Sequence, residues 1–209
     1  MMRGSSHAFI GGAAGMAVAY GHHADPVAAA SLIGIGVLSG LVPDLDVNGK
    51  LSNTLTSRKW IYGLLALMGV LLASDSALTE RGTQQWLGMV IGAGLIALPR
   101  IFMKKRTILL MTGVVIAGAG MVLNEMWIIL MGVFICAASR QPHRGITHSI
   151  IGLIYFGFIG FYLEQDLQIQ GVFYTSIAGY ASHLLADLKV LPANRKGVKL
   201  LQPFSKKEF

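Results

Sequence analysis

Uncharged apolar runs recur along the chain at about 7–20, 27–42, 60–74, 86–99, 107–123, 126–139, 148–163 and 171–186. The stretches between them are short and hold nearly all the charged residues. Each run reads as a helix, so the chain is expected to be all-α, a polytopic helical bundle of the membrane. The runs average about 16 residues, against the roughly 17–25 of a full span. Some helices must therefore tilt, fray into the interface or fail to cross, and six to eight transmembrane helices are expected. Trp60, Trp86 and Trp127 each open a run, where an amphipathic ring favours the membrane interface. Gly11/Gly15, Gly36/Gly40 and Gly88/Gly92 are small-xxx-small pairs, expected at close helix contacts.

Composition agrees with a bilayer setting. Of 209 residues, 54% are apolar and 13% charged, and mean hydropathy is +0.61. This excludes a disordered tail, a collagen-like fibre and a disulfide scaffold, the last also because Cys136 is the only cysteine. A net charge of +7 on a soluble chain would suggest nucleic-acid binding. Here the basic residues sort by loop instead, and no nucleic-acid partner is expected. With the N-terminus inside, 16 of 17 Lys and Arg fall in inner segments and only Arg81 falls outside. Cytoplasmic loops are the basic ones, so the expectation is a multi-pass membrane protein with both termini cytoplasmic. The polar Ser5-Ser6-His7 start of the first run argues for a retained helix over a cleaved signal peptide.

With so few charges, the positions of acids and histidines are informative. Four clusters fall at helix ends on the cytoplasmic side: His7, Pro43-Asp44-Leu45-Asp46, His143-Arg144-Gly145-Ile146-Thr147-His148-Ser149, and Ser182-His183-Leu184-Leu185-Ala186-Asp187. His183 and Asp187, at i and i+4, share a helix face and can address one ion. His143 and His148 straddle Gly145, with Thr147 placed to cap the next helix. Asp44 and Asp46 supply one ligand each, or one ligand and one base. Mixed imidazole and carboxylate donors suit zinc, manganese or iron better than calcium. His22 and His23 lie on the opposite side, in a loop with no assigned chemistry.

These segments, SSHAFIGG, LVPDLD, HRGITHS, GYASHLLADL and KGVKLLQPF, resemble in order the LexA-regulated, membrane-bound, metal-dependent hydrolase family, also called YdjM-like. That family is in turn similar to zinc-dependent phospholipase C. The resemblance implies a helical fold and His7, Asp44, His143, His148, His183 and Asp187 as metal ligands, with Asp46 a ligand or base. It also implies zinc, with manganese as the alternative, in one to three ions. Two features depart from the family pattern. Lys189 and Val190 stand shortly after Asp187 where many members carry a threonine, and about 96 residues with four apolar runs separate Asp46 from His143. The chain is thus expected to be one membrane-embedded domain, 1–209, with catalytic clusters in 1–59 and 140–209 and extra hydrophobic helices inserted at 60–139.

The reaction expected is hydrolysis of a phosphoester in a lipid or a small membrane-proximal substrate by metal-activated water. Arg144 would clamp the phosphate and Asp46 would accept the proton. Two other classes compete. A metal or ion transporter would need ionisable groups along a path between the faces, whereas these clusters share one face. A non-enzymatic scaffold, binding anionic lipid through the basic tail from Lys189 to Lys207, explains the charge but not the histidines.

Overall fold

The computed structural model describes residues 4–45, 58–102, 104–142, 145–189, 197–205 and 207–208. Among them are eight α-helices and no strand: α1 (Gly4–Gly21), α2 (Pro26–Leu41), α3 (Arg58–Thr79), α4 (Thr83–Phe102), α5 (Lys105–Leu123), α6 (Met126–Arg140), α7 (Ile150–Leu167) and α8 (Val172–Ala186). Two single 3-10 turns, Val42–Leu45 and Ile146–His148, follow α2 and precede α7. The eight apolar runs thus correspond one to one with helices. Pro26–Leu45, Lys105–Leu123 and Ile150–Leu167 are long and apolar enough to cross a membrane, while Leu65–Thr79 and Met126–Arg140 are shorter apolar helices. The protein is a helical membrane bundle.

Local signals explain where the helices begin and end. Asp25 caps α2, its carboxylate accepting from Val27 N at 2.9 Å and Ala28 N at 3.1 Å, with Pro26 in the first helical position. Gln168 closes α7 in the left-handed conformation, and Gly171 opens α8 at φ +95°. Ser149, and not Thr147, caps α7: it accepts from Gly152 N, while its own hydroxyl donates to Ile146 O at 2.6 Å. The expectation for Thr147 fails because the chain makes an extra 3-10 turn before the helix starts, which moves the cap two residues on.

The chain divides into two compact units, Thr56–Ile108 and the remainder. The smaller unit is the α3/α4 hairpin, turned at Gly82. Gly92 lies against the Gly69 carbonyl and Gly88 against Ser76. The rest of α5, together with α6, belongs to the larger unit.

In the larger unit the helices meet through small residues. A Cβ on Gly11 or Gly15 would strike the carbonyl of Gly36 or Leu32, and one on Gly36 or Gly40 would strike that of Gly11 or His7. Helices α1 and α2 are therefore in backbone contact, as their glycine spacing predicts. Helix α8 joins them at Gly179, where a Cβ would lie 2.8 Å from Gly36 O. A second layer of bulky side chains, including Phe134, Phe156, Ile159, Tyr180 and Leu184, packs α6, α7 and α8 together.

Polarity is distributed in the sense opposite to a water-soluble protein. Ser39, Thr175, Ser176 and His183 are buried, while Phe9, Val27, Val122 and Phe158 are exposed. Lipid tails are as apolar as leucine, so an outward Leu or Val costs nothing there, and tight packing of small residues holds the helices together.

Because α1 and α2 touch through their backbones, Gly36→Leu should lower stability by about 1–3 kcal/mol or more by overpacking. Gly34→Ala, with nothing within 4 Å of its added Cβ, should leave the unfolding midpoint unchanged or raised. Thermal unfolding of the detergent-purified variants, followed by circular dichroism, checks both.

Candidate metal centre

Five chemically active side chains converge at one end of the larger unit. His7 comes from the first turns of α1 and Asp44 from the turn ending α2; His148 precedes α7, and His183 and Asp187 close α8. Asp44 is 5% exposed and the other four at most 1%. Residues up to 180 positions apart are neighbours because four helix ends coincide. Helix α8 brings His183 and Asp187 on one face, and the backbone contact of α1 with α2 sets His7 beside Gly40.

The hydrogen bonds orient the rings. His183 Nδ1 donates to the Gly40 carbonyl at 2.8 Å, so in the neutral ring Nε2 carries the lone pair and faces the other donors. His148 Nδ1 lies 3.2 Å from the Thr147 hydroxyl, which can accept its proton and likewise free Nε2 for coordination. The two Nε2 atoms are 3.3 Å apart. His7 stacks on His183 with ring centroids 3.9 Å apart.

The distances between donors are those of an ion-sized gap. Asp44 Oδ1 lies 3.5 Å from His148 Nε2 and 3.8 Å from His183 Nε2. Asp187 Oδ1 lies 3.6 Å from His7 Nε2, and Asp187 Oδ2 lies 3.8 Å from His183 Nε2. Ligands at 2.0–2.1 Å around a tetrahedral zinc stand about 3.3–3.4 Å from one another. Asp44 Oδ1 is moreover buried without a hydrogen bond, an arrangement that native proteins rarely leave unexplained. Two triplets, His7/His183/Asp187 and Asp44/His148/His183, can each hold a metal ion. They share His183, whose single available lone pair serves one ion only. The five donors thus suit one ion, or two neighbours with His183 on one of them. The formal charge of the two carboxylates, −2, matches one divalent cation.

Two further groups support the centre, and sequence reasoning did not single them out. The Tyr180 hydroxyl donates to the Thr147 carbonyl and pins the 3-10 turn that carries His148. Gly152 leaves room for that hydroxyl, since a Cβ there would lie 2.6 Å from it. The other is the Gly40 carbonyl that orients His183. Tyr180 stands three residues before His183 on the same helix, a spacing that could have pointed to it; a backbone carbonyl leaves no trace in a sequence. Asp46, His143 and Arg144 lie outside the described residues. His22 stacks on Tyr174, with centroids 5.8 Å apart, near the turn between α7 and α8.

Fold and site together define a helical membrane protein with a buried histidine and aspartate cluster capable of holding a metal ion. The sequence profile of the YdjM inner membrane protein matches residues 1–209, and the chain belongs to that family. No curated protein and no solved structure matches it.

Tyr180→Phe removes the donor but leaves a buried carbonyl unsatisfied, which should cost about 1–3 kcal/mol. The unfolding midpoint of this variant should fall with the helix content of the folded state unchanged. An unaltered midpoint would show that the Thr147 carbonyl finds another donor.

Proposed function

We propose that this protein is a metal-dependent hydrolase of the inner membrane, cleaving a phosphoester of a lipid or a membrane-proximal substrate. His7, Asp44, His148, His183 and Asp187 are its metal ligands, and zinc, or else manganese, is the ion. The observation that carries the reading is the convergence of five buried donors from four chain segments at ligand-to-ligand spacing. A bound divalent ion supplies a Lewis acid and a water of lowered pKa at such a centre.

The chain's own groups would orient and shield that chemistry. Gly40 and Thr147 hold the imidazoles with Nε2 inward, and burial of all five donors keeps bulk water away. In this proposal Arg144 clamps the phosphate, Asp46 accepts a proton and His143 is a further ligand, roles drawn from their places in HRGITHS and LVPDLD. The topology proposed is multi-pass, with both termini cytoplasmic. The charge asymmetry supports it. So does the meeting of the α1 start, α2 end, α7 start and α8 end, the four ends that such a topology puts on one side.

Metal content of the chelator-free, detergent-purified protein, measured by mass spectrometry, tests the centre. The wild type should hold about one equivalent or more of zinc or manganese, and a His183→Ala/Asp187→Ala variant should lose it while remaining inserted in the membrane. Substoichiometric metal in folded wild type would overturn the proposal. For the topology, alkaline phosphatase should be inactive when fused after Phe209 and active when fused after Arg81.

A further inference from the structure

Between α6 and α7 lies a slot of about 130 Å³. Val133 and Ala137 of α6 with Gln141 just after it form one wall, and Ile146 and Thr147 of the 3-10 turn with Ile151 of α7 form the other. Its lining is apolar throughout, and Val133 and Ile151 are open to the outside of the bundle. In a bilayer that outside is lipid. A dry cavity of roughly 150 Å³ takes up benzene, so the slot suits a hydrocarbon segment of about five or six carbons. Tyr155 closes the inner side, its hydroxyl committed to the Leu130 carbonyl at 3.0 Å, which leaves the ring to offer apolar surface.

The slot's place relative to the metal centre distinguishes it from other lipid-facing grooves. Thr147 lines it, yet the Thr147 hydroxyl lies 3.2 Å from His148 Nδ1. The residue next to a proposed ligand thus also lines the slot. A larger groove of about 480 Å³, between Phe158 and Phe161 on α7 and Phe173 and Ile177 on α8, has no such link and includes no residue of the turn carrying His148. The two grooves therefore serve as test and internal control.

We propose that this slot holds one acyl chain of a membrane phospholipid, with the headgroup at the Gln141 and Thr147 end beside His148. The proposal rests on the hydrolase reading for its purpose, since it makes the substrate a diacyl phospholipid engaged from within the bilayer. Chain length beyond the slot remains in the bilayer, so the site selects for a lipid anchor without reading its full length.

The full-length protein, reconstituted in phosphatidylglycerol vesicles doped with phosphatidylglycerol carrying a diazirine on one acyl chain, tests this directly. After photolysis, peptides containing residues 133–141 and 146–155 should carry several-fold more label than those containing Phe173 and Ile177. Ala137→Phe, which fills the slot from its lipid-facing wall, should remove that excess while metal content and unfolding midpoint stay those of the wild type. Val133→Trp, filling it from a different position, should do the same should Ala137→Phe prove unstable. Equal labelling of both grooves, or labelling indifferent to both substitutions, means annular lipid only and overturns the proposal. Metal retained without selective labelling sinks the slot alone; selective labelling in a protein without metal sinks the hydrolase reading and leaves the lipid site standing.

Discussion

The contact on which the larger unit depends is the backbone meeting of α1 and α2 through Gly11, Gly15, Gly36 and Gly40. Hydrophobic side chains cannot drive helices together inside lipid, so close van der Waals approach has to do it. The same contact sets the chemistry. It puts the His7 backbone against Gly40, and the Gly40 carbonyl in turn fixes the His183 ring. Any residue with a Cβ at these glycines would separate the helices and, with them, His7 from His183.

A second consequence is the economy of polar groups in the interior. Some buried serines satisfy themselves along their own helices, as Ser39 does with the Ile35 carbonyl at 2.7 Å and Ser139 with Cys136 O at 2.7 Å. The histidines and aspartates cannot, because their donor and acceptor groups are aimed away from the helix axes and toward one another. Concentrating them in one place limits the desolvation problem to a single spot, one that is capable of holding an ion of opposite charge.

Much of this arrangement was legible in the amino-acid order. The eight apolar runs became eight helices because hydropathy is what membrane insertion itself responds to. His7, Asp44, His148, His183 and Asp187 were legible as a group because lone ionisable residues at apolar helix ends have few other uses. What escaped is what depends on the exact path of the backbone. Thr147 and Ser149 are both good caps, and only the added 3-10 turn decides for Ser149. Tyr180 looks like one more apolar-face aromatic until its hydroxyl is seen on the Thr147 carbonyl. The pairing of α1 and α2 with α8 follows from no single motif, since glycine spacing names the contact faces but not their partners.

The centre draws on helices far apart in the sequence, from His7 on α1 to Asp187 at the end of α8. During synthesis His7 enters the membrane long before α8 has left the ribosome, so a nascent chain lacking α8 does not possess the complete set. An ion held by all five, as proposed above, would need α8 in place and would clasp α1 to α8. A protein truncated anywhere before α8 would carry buried carboxylate and imidazole groups with nothing to gather them. Such a chain would present the cell's membrane quality control with a defect that the complete fold hides.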